Sequence, residues 1–254
     1  IATLLFAENY KDVSRYCLIG APLLLHATFP LLGLAALMFG VVIFRAFTEK
    51  NLKALAKEIF CLQNMSIAVS FFIPLCYILG NVLQKKAEEV GFAYIKYEAK
   101  TVLYFCFIAA FLAYSVIIYK QHQTKLLFYL VNLSLLIFPF FRMGVYNDFS
   151  MGASIPAIFL LMVFVIQALF QYGSHAKRDS KRLMVLLLLL AIGSIYPMEE
   201  MVEVIKTPVS FQGAQHGTLG DWVHRDGSIG AAEAYNYFTY DYETSLFYRF
   251  FGKT

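Results

Sequence analysis

Charged residues are scarce in this chain: they make up 15% of its 254 residues, whereas soluble domains carry about 25%. Hydrophobic residues make up 59%, and they are concentrated in uncharged runs long enough to cross a bilayer. This composition excludes a soluble enzyme, a disordered chain and a nucleic-acid module. The formal charge of +4 mainly reports loop orientation in a membrane protein, so it predicts no nucleic-acid partner.

Cysteine and histidine are too few and too scattered for a disulfide framework, a zinc site or a bis-histidine haem. None of the four cysteines belongs to a C-x-x-C pair, and all lie in apolar runs or at their edges: Cys17, Cys61, Cys76 and Cys106. We expect membrane-buried thiols at these positions. His26 is the only histidine predicted well inside a span. The sequence therefore predicts no metal site and leaves the cofactor unknown.

The signatures of several familiar activities are also missing. The sequence has no P-loop, no H-E-x-x-H, no G-x-S-x-G and no dinucleotide fingerprint. No acidic or basic residue lies in the middle of the apolar runs. Because proton pumps and ion-coupled carriers usually need ionisable groups at depth, this pattern argues against both classes.

Long apolar runs are what the chain does have, and they predict an all-α integral membrane fold. About 20 helical residues cross the hydrocarbon core of a bilayer, at about 1.5 Å per residue. We predict a polytopic helical bundle of six spans, near 18–44, 59–83, 101–119, 126–141, 149–172 and 183–198. The fourth and sixth runs have 16 residues each and are the shortest candidates.

The sequence predicts two regions and one orientation. Residues 1–198 form the transmembrane helical domain, and residues 199–254 form a small aromatic-rich extracytoplasmic region, with nine Tyr and Phe residues within 235–251. These aromatics indicate an interfacial belt or a stacking platform for sugar rings or lipid headgroups. The loops after the first, third and fifth spans carry ten Lys and Arg residues against seven in the opposite set. The positive-inside rule then puts both termini outside.

Residues 48–60 are predicted to form an amphipathic helix. Leu52, Leu55 and Ile59 recur at helical spacing with three lysines turned away from them, and Thr48 is a plausible N-cap. Such a helix between two spans is expected to lie flat on the inner leaflet. The alternative is a simple extension of a helical hairpin.

The densest polar group near the apolar runs is Arg142, Asn147 and Asp148, in RMGVYNDFSMGASIP between the fourth and fifth spans. Two interpretations stay open. Asp148 caps the fifth helix and Arg142 snorkels or pairs with it, or the group binds an anionic or hydroxyl-rich headgroup, with Arg142 on phosphate. Tail residues would then add ligands from above: His216, Asp221 and His224.

Residues 147–156, NDFSMGASIP, resemble the motif N-D-[FL]-x-M-R-x-S-[IM]-P. That motif opens a membrane helix near the C-terminal end of large polytopic proteins of bacteria, Bacteroidetes among others. The segment 245–250, SLFYRF, is similar to the aromatic-basic ending of such chains. Gly152 stands where the motif has Arg. In outline these proteins are similar to the GT-C class of membrane glycosyltransferases.

The resemblance implies a bacterial cytoplasmic membrane protein that uses a polyprenyl-phosphate-linked sugar on its outer face. Asp148 would be catalytic, and Arg142 and Asn147, with the three tail residues, would bind substrate. The class also needs an acidic residue in its first outer loop. Because the chain begins at Ile1 without a signal-peptide pattern, we expect that it begins inside a longer protein. The alternative is a non-catalytic subunit of a larger complex, in contact with membrane lipid and other membrane subunits.

Overall fold

A computed structural model describes residues 13–48, 50, 52–83, 90–92, 98–143, 148–174 and 176–206. These residues are almost entirely helical, which confirms the helical part of the predicted fold. The helices are α1 (Val13–His26), α2 (Thr28–Thr48), α3 (Leu52–Ile59), α4 (Leu62–Ser70), α5 (Phe72–Leu83), α6 (Glu98–His122), α7 (Leu126–Ile137), α8 (Asp148–Ser174) and α9 (Ala176–Lys206). Two short strands accompany them, β1 (Val90–Phe92) and β2 (Phe141–Met143).

Four described segments are long and apolar enough to cross a membrane: Thr28–Thr48, Phe105–His122, Phe149–Ser174 and Asp179–Glu203. They correspond to the first, third, fifth and sixth predicted spans. The fourth run forms the shorter α7 and then a 3-10 turn, Phe138–Phe140. Pro139 lies in that turn and has no N–H to continue the α-helical bonding.

The second predicted span, 59–83, is not one continuous helix. It begins at Leu62 and is divided at Phe71 into α4 and α5. Pro74 is the third residue of α5, and its missing N–H leaves the carbonyl of Ser70 without the usual α-helical donor. The ring of Pro74 also crowds that carbonyl, so the helix breaks there.

The first predicted span, 18–44, is a helical hairpin and not a single crossing. A straight helix would separate residues 20 and 31 by about 16 Å along its axis. In the structure, a Cβ atom built on Gly20 would lie 3.1 Å from Leu31 Cδ1. The chain therefore turns back at Ala27, where Pro30 cannot donate to the carbonyl of His26.

This hairpin corrects part of the predicted orientation. The Ser14 hydroxyl donates to Glu58 Oε1 over 3.3 Å, so the beginning of α1 lies beside the segment that follows α2. Arg15 was predicted on the opposite side from Lys53 and Lys57, and it lies at their end of the bundle.

The amphipathic helix is shorter than predicted. It begins at Leu52, not at residue 48, and Lys50 before it has a positive φ of 52°. The prediction that Thr48 is its N-cap is wrong, because Thr48 ends α2 and its hydroxyl donates to the carbonyl of Phe44 over 2.8 Å. Of the predicted apolar face only Leu55 is buried in the core, whereas Leu52 and Ile59 are exposed, as Lys53 is on the opposite face.

The centre of the bundle is the contact between α2 and α8. A Cβ atom on Gly33 would lie 2.8 Å from the carbonyl carbon of Ala153 and closer still to its oxygen. Small residues let membrane helices approach in this way, and Ala157 and Ala168 continue the buried face of α8. Helices α6 and α7 pack around this pair.

Helix α9 lies at the edge of the bundle and runs further than predicted. It continues past residue 198 to Lys206, so residues 199–206 belong to a helix and not to the separate C-terminal region. Glutamate, methionine and lysine are good helix formers, and they carry the helix beyond its apolar part. Only Leu186 of α9 is fully buried among the described residues, and the Tyr114 hydroxyl donates to the carbonyl of Leu189 over 2.9 Å.

The connection between α5 and α6 contributes the short strand β1. Strands β1 and β2 pair antiparallel, with Gly91 opposite Arg142. Strand β2 packs against α8. The connections before α6 and after α7 therefore lie at the same end of the bundle.

Candidate functional site

The start of α8 lies beside an aromatic cluster formed by four phenylalanines. Phe149 is at its centre, and its ring centroid is 5.9 Å from Phe29, 6.3 Å from Phe138 and 6.5 Å from Phe141. All three pairs meet edge to face, an arrangement that aromatic quadrupoles favour. The cluster joins the beginning of α2, the end of α7 and strand β2 to the N-terminal end of α8.

Two of the predicted site residues lie at this end of the bundle. Asp148 is the first residue of α8. Arg142 is the middle residue of β2 and pairs with Gly91. Because β2 packs against α8, the backbones of Arg142 and Asp148 share one end of the bundle. The remaining predicted residues lie outside the described residues: Asn147, His216, Asp221 and His224.

Residues of the motif that carries the resemblance make contacts between helices. A Cβ atom on Gly152 would lie 2.7 Å from Phe29 Cβ and 3.3 Å from Pro30 Cδ. Real Cβ atoms essentially never approach another atom within 3 Å, so an arginine here would have to displace Phe29. Ala153 meets Gly33 one residue further along. Gly152 is thus a contact between helices, and its lack of a side chain has a structural reason.

The same motif contains a buried polar atom with no partner. Ser154 is 2% exposed, and its Oγ makes no hydrogen bond within the described part of the chain. Pro156 has no N–H for the carbonyl of Gly152, four residues before it. The Ser154 hydroxyl therefore has no partner among the described residues, and the Gly152 carbonyl lacks its usual α-helical donor.

The sequence interpretation missed His122, the most deeply buried ionisable residue described. It is 0% exposed, and its Nε2 lies 3.1 Å from the carbonyl oxygen of Phe164. A carbonyl only accepts, so Nε2 carries the proton and Nδ1 is an acceptor; Nδ1 has no partner among the described residues. By contrast His26, expected inside a span, ends α1 and is exposed.

Neighbouring polar groups tie α6, α7 and α8 together beside His122. The Tyr172 hydroxyl lies 2.7 Å from the carbonyl of Ile117 and 2.8 Å from Gln121 Oε1. Lys125 Nζ donates to Gln167 Oε1 over 3.2 Å. Ile117 and Gln167 lie within predicted spans, whereas Gln121 and Lys125 follow the third one. Their contacts hold these parts of the helices together and require no ligand.

A second polar cluster joins α1 to the turn between α3 and α4. The Ser14 hydroxyl lies 3.3 Å from Glu58 Oε1 and 3.4 Å from Cys61 Sγ. Asn64 Nδ2 donates to the carbonyl of Glu58 over 2.8 Å. Cys61 is the N-cap residue of α4, with an extended backbone. Cys61 therefore departs from the expected membrane-buried thiol.

Two features of this cluster bear on the thiol of Cys61. The Ser14 hydroxyl and then the backbone N–H groups at the start of α4 lower its pKa, although the Glu58 carboxylate acts in the opposite direction. No group of three or more His, Cys, Asp or Glu side chains suited to a metal occurs within the described residues. The chemistry available here is that of a thiol and not of a metal.

The chain matches no protein-family model, no curated protein and no solved structure.

Proposed function

We propose that this chain is a non-catalytic structural subunit of a larger membrane complex, with α8 as its internal packing centre. The observation that carries the proposal is the close approach of Gly152 to Phe29 and Pro30. This contact explains the glycine of the motif by helix packing. The resembling family has an arginine at this position. A motif whose residues pack against other helices of the same chain suits a structural role.

Helix α9 supports this proposal as the partner-facing element. The membrane segment of α9 is 6% buried within the protein, compared with 50% for that of α8. Leu188, Ile192 and Ile195 recur at helical spacing on the face away from Leu186, and all three are exposed. Helices that pack against another membrane subunit need such a face.

Tryptophan substitutions test the proposed role of α9. Ile192→Trp with Ile195→Trp should weaken the native complex about tenfold, because overpacking an interface costs on the order of 1–3 kcal/mol. The measurement is the size of the complex purified in mild detergent from its own membrane. Val116→Trp, at an exposed position of α6, is the matched control and should leave the complex intact. Equal behaviour of the two variants would contradict the proposal.

Sugar transfer from a polyprenyl-phosphate carrier is a second candidate. Its support is the location of Asp148 and Arg142 at one end of the bundle, next to the Phe149 cluster. An acidic and a basic residue at the same end of the bundle as an aromatic cluster are residue types that suit a sugar phosphate. In this proposal Asp148 is catalytic, and Arg142 and Asn147 bind the donor, with His216, Asp221 and His224 above them.

The change Asp148→Asn separates a catalytic carboxylate from a helix cap. Asparagine caps helices as well as aspartate does, so stability should change by less than about 0.5 kcal/mol. Proton transfer and metal-phosphate binding need the negative charge, so glycan transfer by the full-length protein should be lost. Full transfer activity in this variant would remove the enzymatic candidate.

We further propose six crossings, formed by α2, the α4–α5 pair, α6, α7, α8 and α9, in the cytoplasmic membrane. The pairing of β1 with β2 supports this, because alternating crossings put both strands on one side. Lys53 should lie in the cytoplasm. In a background without the native cysteines, Lys53→Cys should resist an impermeant thiol reagent in intact cells and Gly91→Cys should react. The reverse pattern would overturn the orientation.

A further inference from the structure

The turn between α3 and α4 contains a chain of hydrogen-bonding groups that ends on a thiol. Ser14 Oγ is 3.3 Å from Glu58 Oε1 and 3.4 Å from Cys61 Sγ, so one hydroxyl bridges a carboxylate and a sulfur. In this arrangement Ser14 donates to Glu58 and accepts from the Cys61 S–H. A proton can leave Cys61 through Ser14 towards Glu58 without any rearrangement of the three side chains.

The N-terminal end of α4 adds a stabilising field for the thiolate. Cys61 is the N-cap of this nine-residue helix, and the free N–H groups of a first helical turn favour a negative charge. The Ser14 hydroxyl, which donates to the sulfur once the thiol proton has left, and then the backbone N–H groups of Asn64 and Gln63 lower the pKa of Cys61, while partial burial and the Glu58 carboxylate act in the opposite direction. Thiolates are the nucleophilic form of cysteine, and such surroundings are typical of reactive thiols.

A buried acceptor in the first turn of α4 has no partner among the described residues. Asn64 is 7% exposed, its Nδ2 bonds to the carbonyl of Glu58, and its Oδ1 has no hydrogen-bond partner among the described residues. Buried oxygens without a partner are uncommon in folded proteins. This oxygen can accept a further hydrogen bond at the start of α4.

A second thiol lies close to the first. Cys17 is three residues after Ser14 in α1, so the two share one helix face. Residues three apart on a helix have Cβ atoms about 5–6 Å apart, and Ser14 Oγ is 3.4 Å from Cys61 Sγ, so Cys17 lies in the neighbourhood of the Cys61 thiol. This pairing joins residues 44 positions apart in the chain, and it depends on the α1–α2 hairpin.

We propose that Cys61 is a hydroperoxide-reactive thiol and that Cys17 resolves it into a disulfide. The Cys61 sulfur attacks the terminal peroxide oxygen, so an S–O bond forms and the O–O bond breaks. The leaving oxygen takes the proton that passed from Cys61 to Glu58, and Cys61 becomes a sulfenic acid. The Cys17 sulfur then attacks Cys61, an S–S bond forms, and the S–O oxygen leaves with the Cys17 proton as water. Two thiols are oxidised and one hydroperoxide is reduced.

Hydrogen peroxide added to the purified full chain in detergent tests this proposal. Intact-mass and peptide analysis should find a Cys17–Cys61 disulfide, with the loss of two hydrogen atoms. In Cys17→Ser the reaction should stop at a sulfenic acid on Cys61, which dimedone traps. In Cys61→Ser, Cys17 should remain reduced. A disulfide between other cysteines, or no dimedone adduct on Cys61, would overturn the proposal.

Rate measurements test the part played by Ser14. Ser14→Ala should slow oxidation of Cys61 about tenfold, because the sulfur loses its proton path and its main hydrogen bond. Ser66→Ala is the matched control, since its hydroxyl bonds only to the carbonyl of Leu62 within α4, and it should react like the native chain. The thermal midpoint of each variant checks that the fold is retained. Oxidation of Cys61 no faster than that of Cys106, which is exposed on α6, would contradict the assignment.

Discussion

Gly33→Ala should destabilise the protein more than any other single methyl addition that we consider. The new Cβ would lie 2.8 Å from the carbonyl carbon of Ala153 and nearer to its oxygen. The contacted atoms belong to the backbone of α8, so no side chain can rotate away and the two helices must separate. Overpacking of a core costs about 1–3 kcal/mol, occasionally more, and we expect at least the upper end. Thermal unfolding in detergent measures the loss.

Gly173→Ala is the matched control for that experiment. Gly173 lies near the end of α8, and an added Cβ would meet no atom within 4 Å. Alanine is a better helix former than glycine by about 0.8–1.0 kcal/mol, so this variant should be as stable as the native chain or more so. Equal destabilisation by the two changes would show that α2 and α8 do not approach closely at Gly33.

Gly152→Arg introduces the residue that the resembling family carries at this position, and it should cost about 2 kcal/mol or more. The new Cβ would be 2.7 Å from Phe29 Cβ, an atom fixed close to its own backbone. The start of α8 would have to move away from the start of α2, and the contact between Phe29 and Phe149 would be lost. Unfolding temperature and complex size are the two measurements.

Met151→Arg separates the steric effect of Gly152→Arg from the effect of its charge. Met151 is the neighbouring residue and is 71% exposed, so an arginine there adds the same charge without a clash. We expect a change within about 0.5 kcal/mol, as for most surface substitutions. If Gly152→Arg were as stable as Met151→Arg and gained sugar transfer, the structural-subunit proposal would fail and the glycosyltransferase proposal would gain its missing residue.

Hydropathy predicted the helices but not their breaks. The four segments long enough to cross a membrane coincide with predicted runs, because helical spans need about 20 apolar residues whatever their neighbours are. The break at Phe71 and the hairpin at Ala27 depend on how the chain responds to Pro74 and Pro30. A proline in a membrane helix can kink it, end it or reverse it, and the packing of neighbouring helices decides which.

Of the candidate site, the sequence predicted that Asp148 opens a helix, which the structure confirms. It could not predict the partners of Gly152, because Phe29 and Pro30 are more than 120 positions away in the chain. The buried His122 was missed for the same reason. Its acceptor, the carbonyl of Phe164, lies on α8. The sequence around His122 is typical of the polar edge of a span.

The sequence by itself determined that this is a helical chain with long apolar segments, because burial of apolar surface and internal hydrogen bonding of the backbone leave helices as the available solution in a bilayer. It also determined that one set of loops carries more Lys and Arg residues than the opposite set. Only the tertiary structure decided that Gly152 is a packing residue and that Ser14 joins Glu58 to Cys61. Both depend on distances between helices, and those distances are set by side chains far apart in the chain.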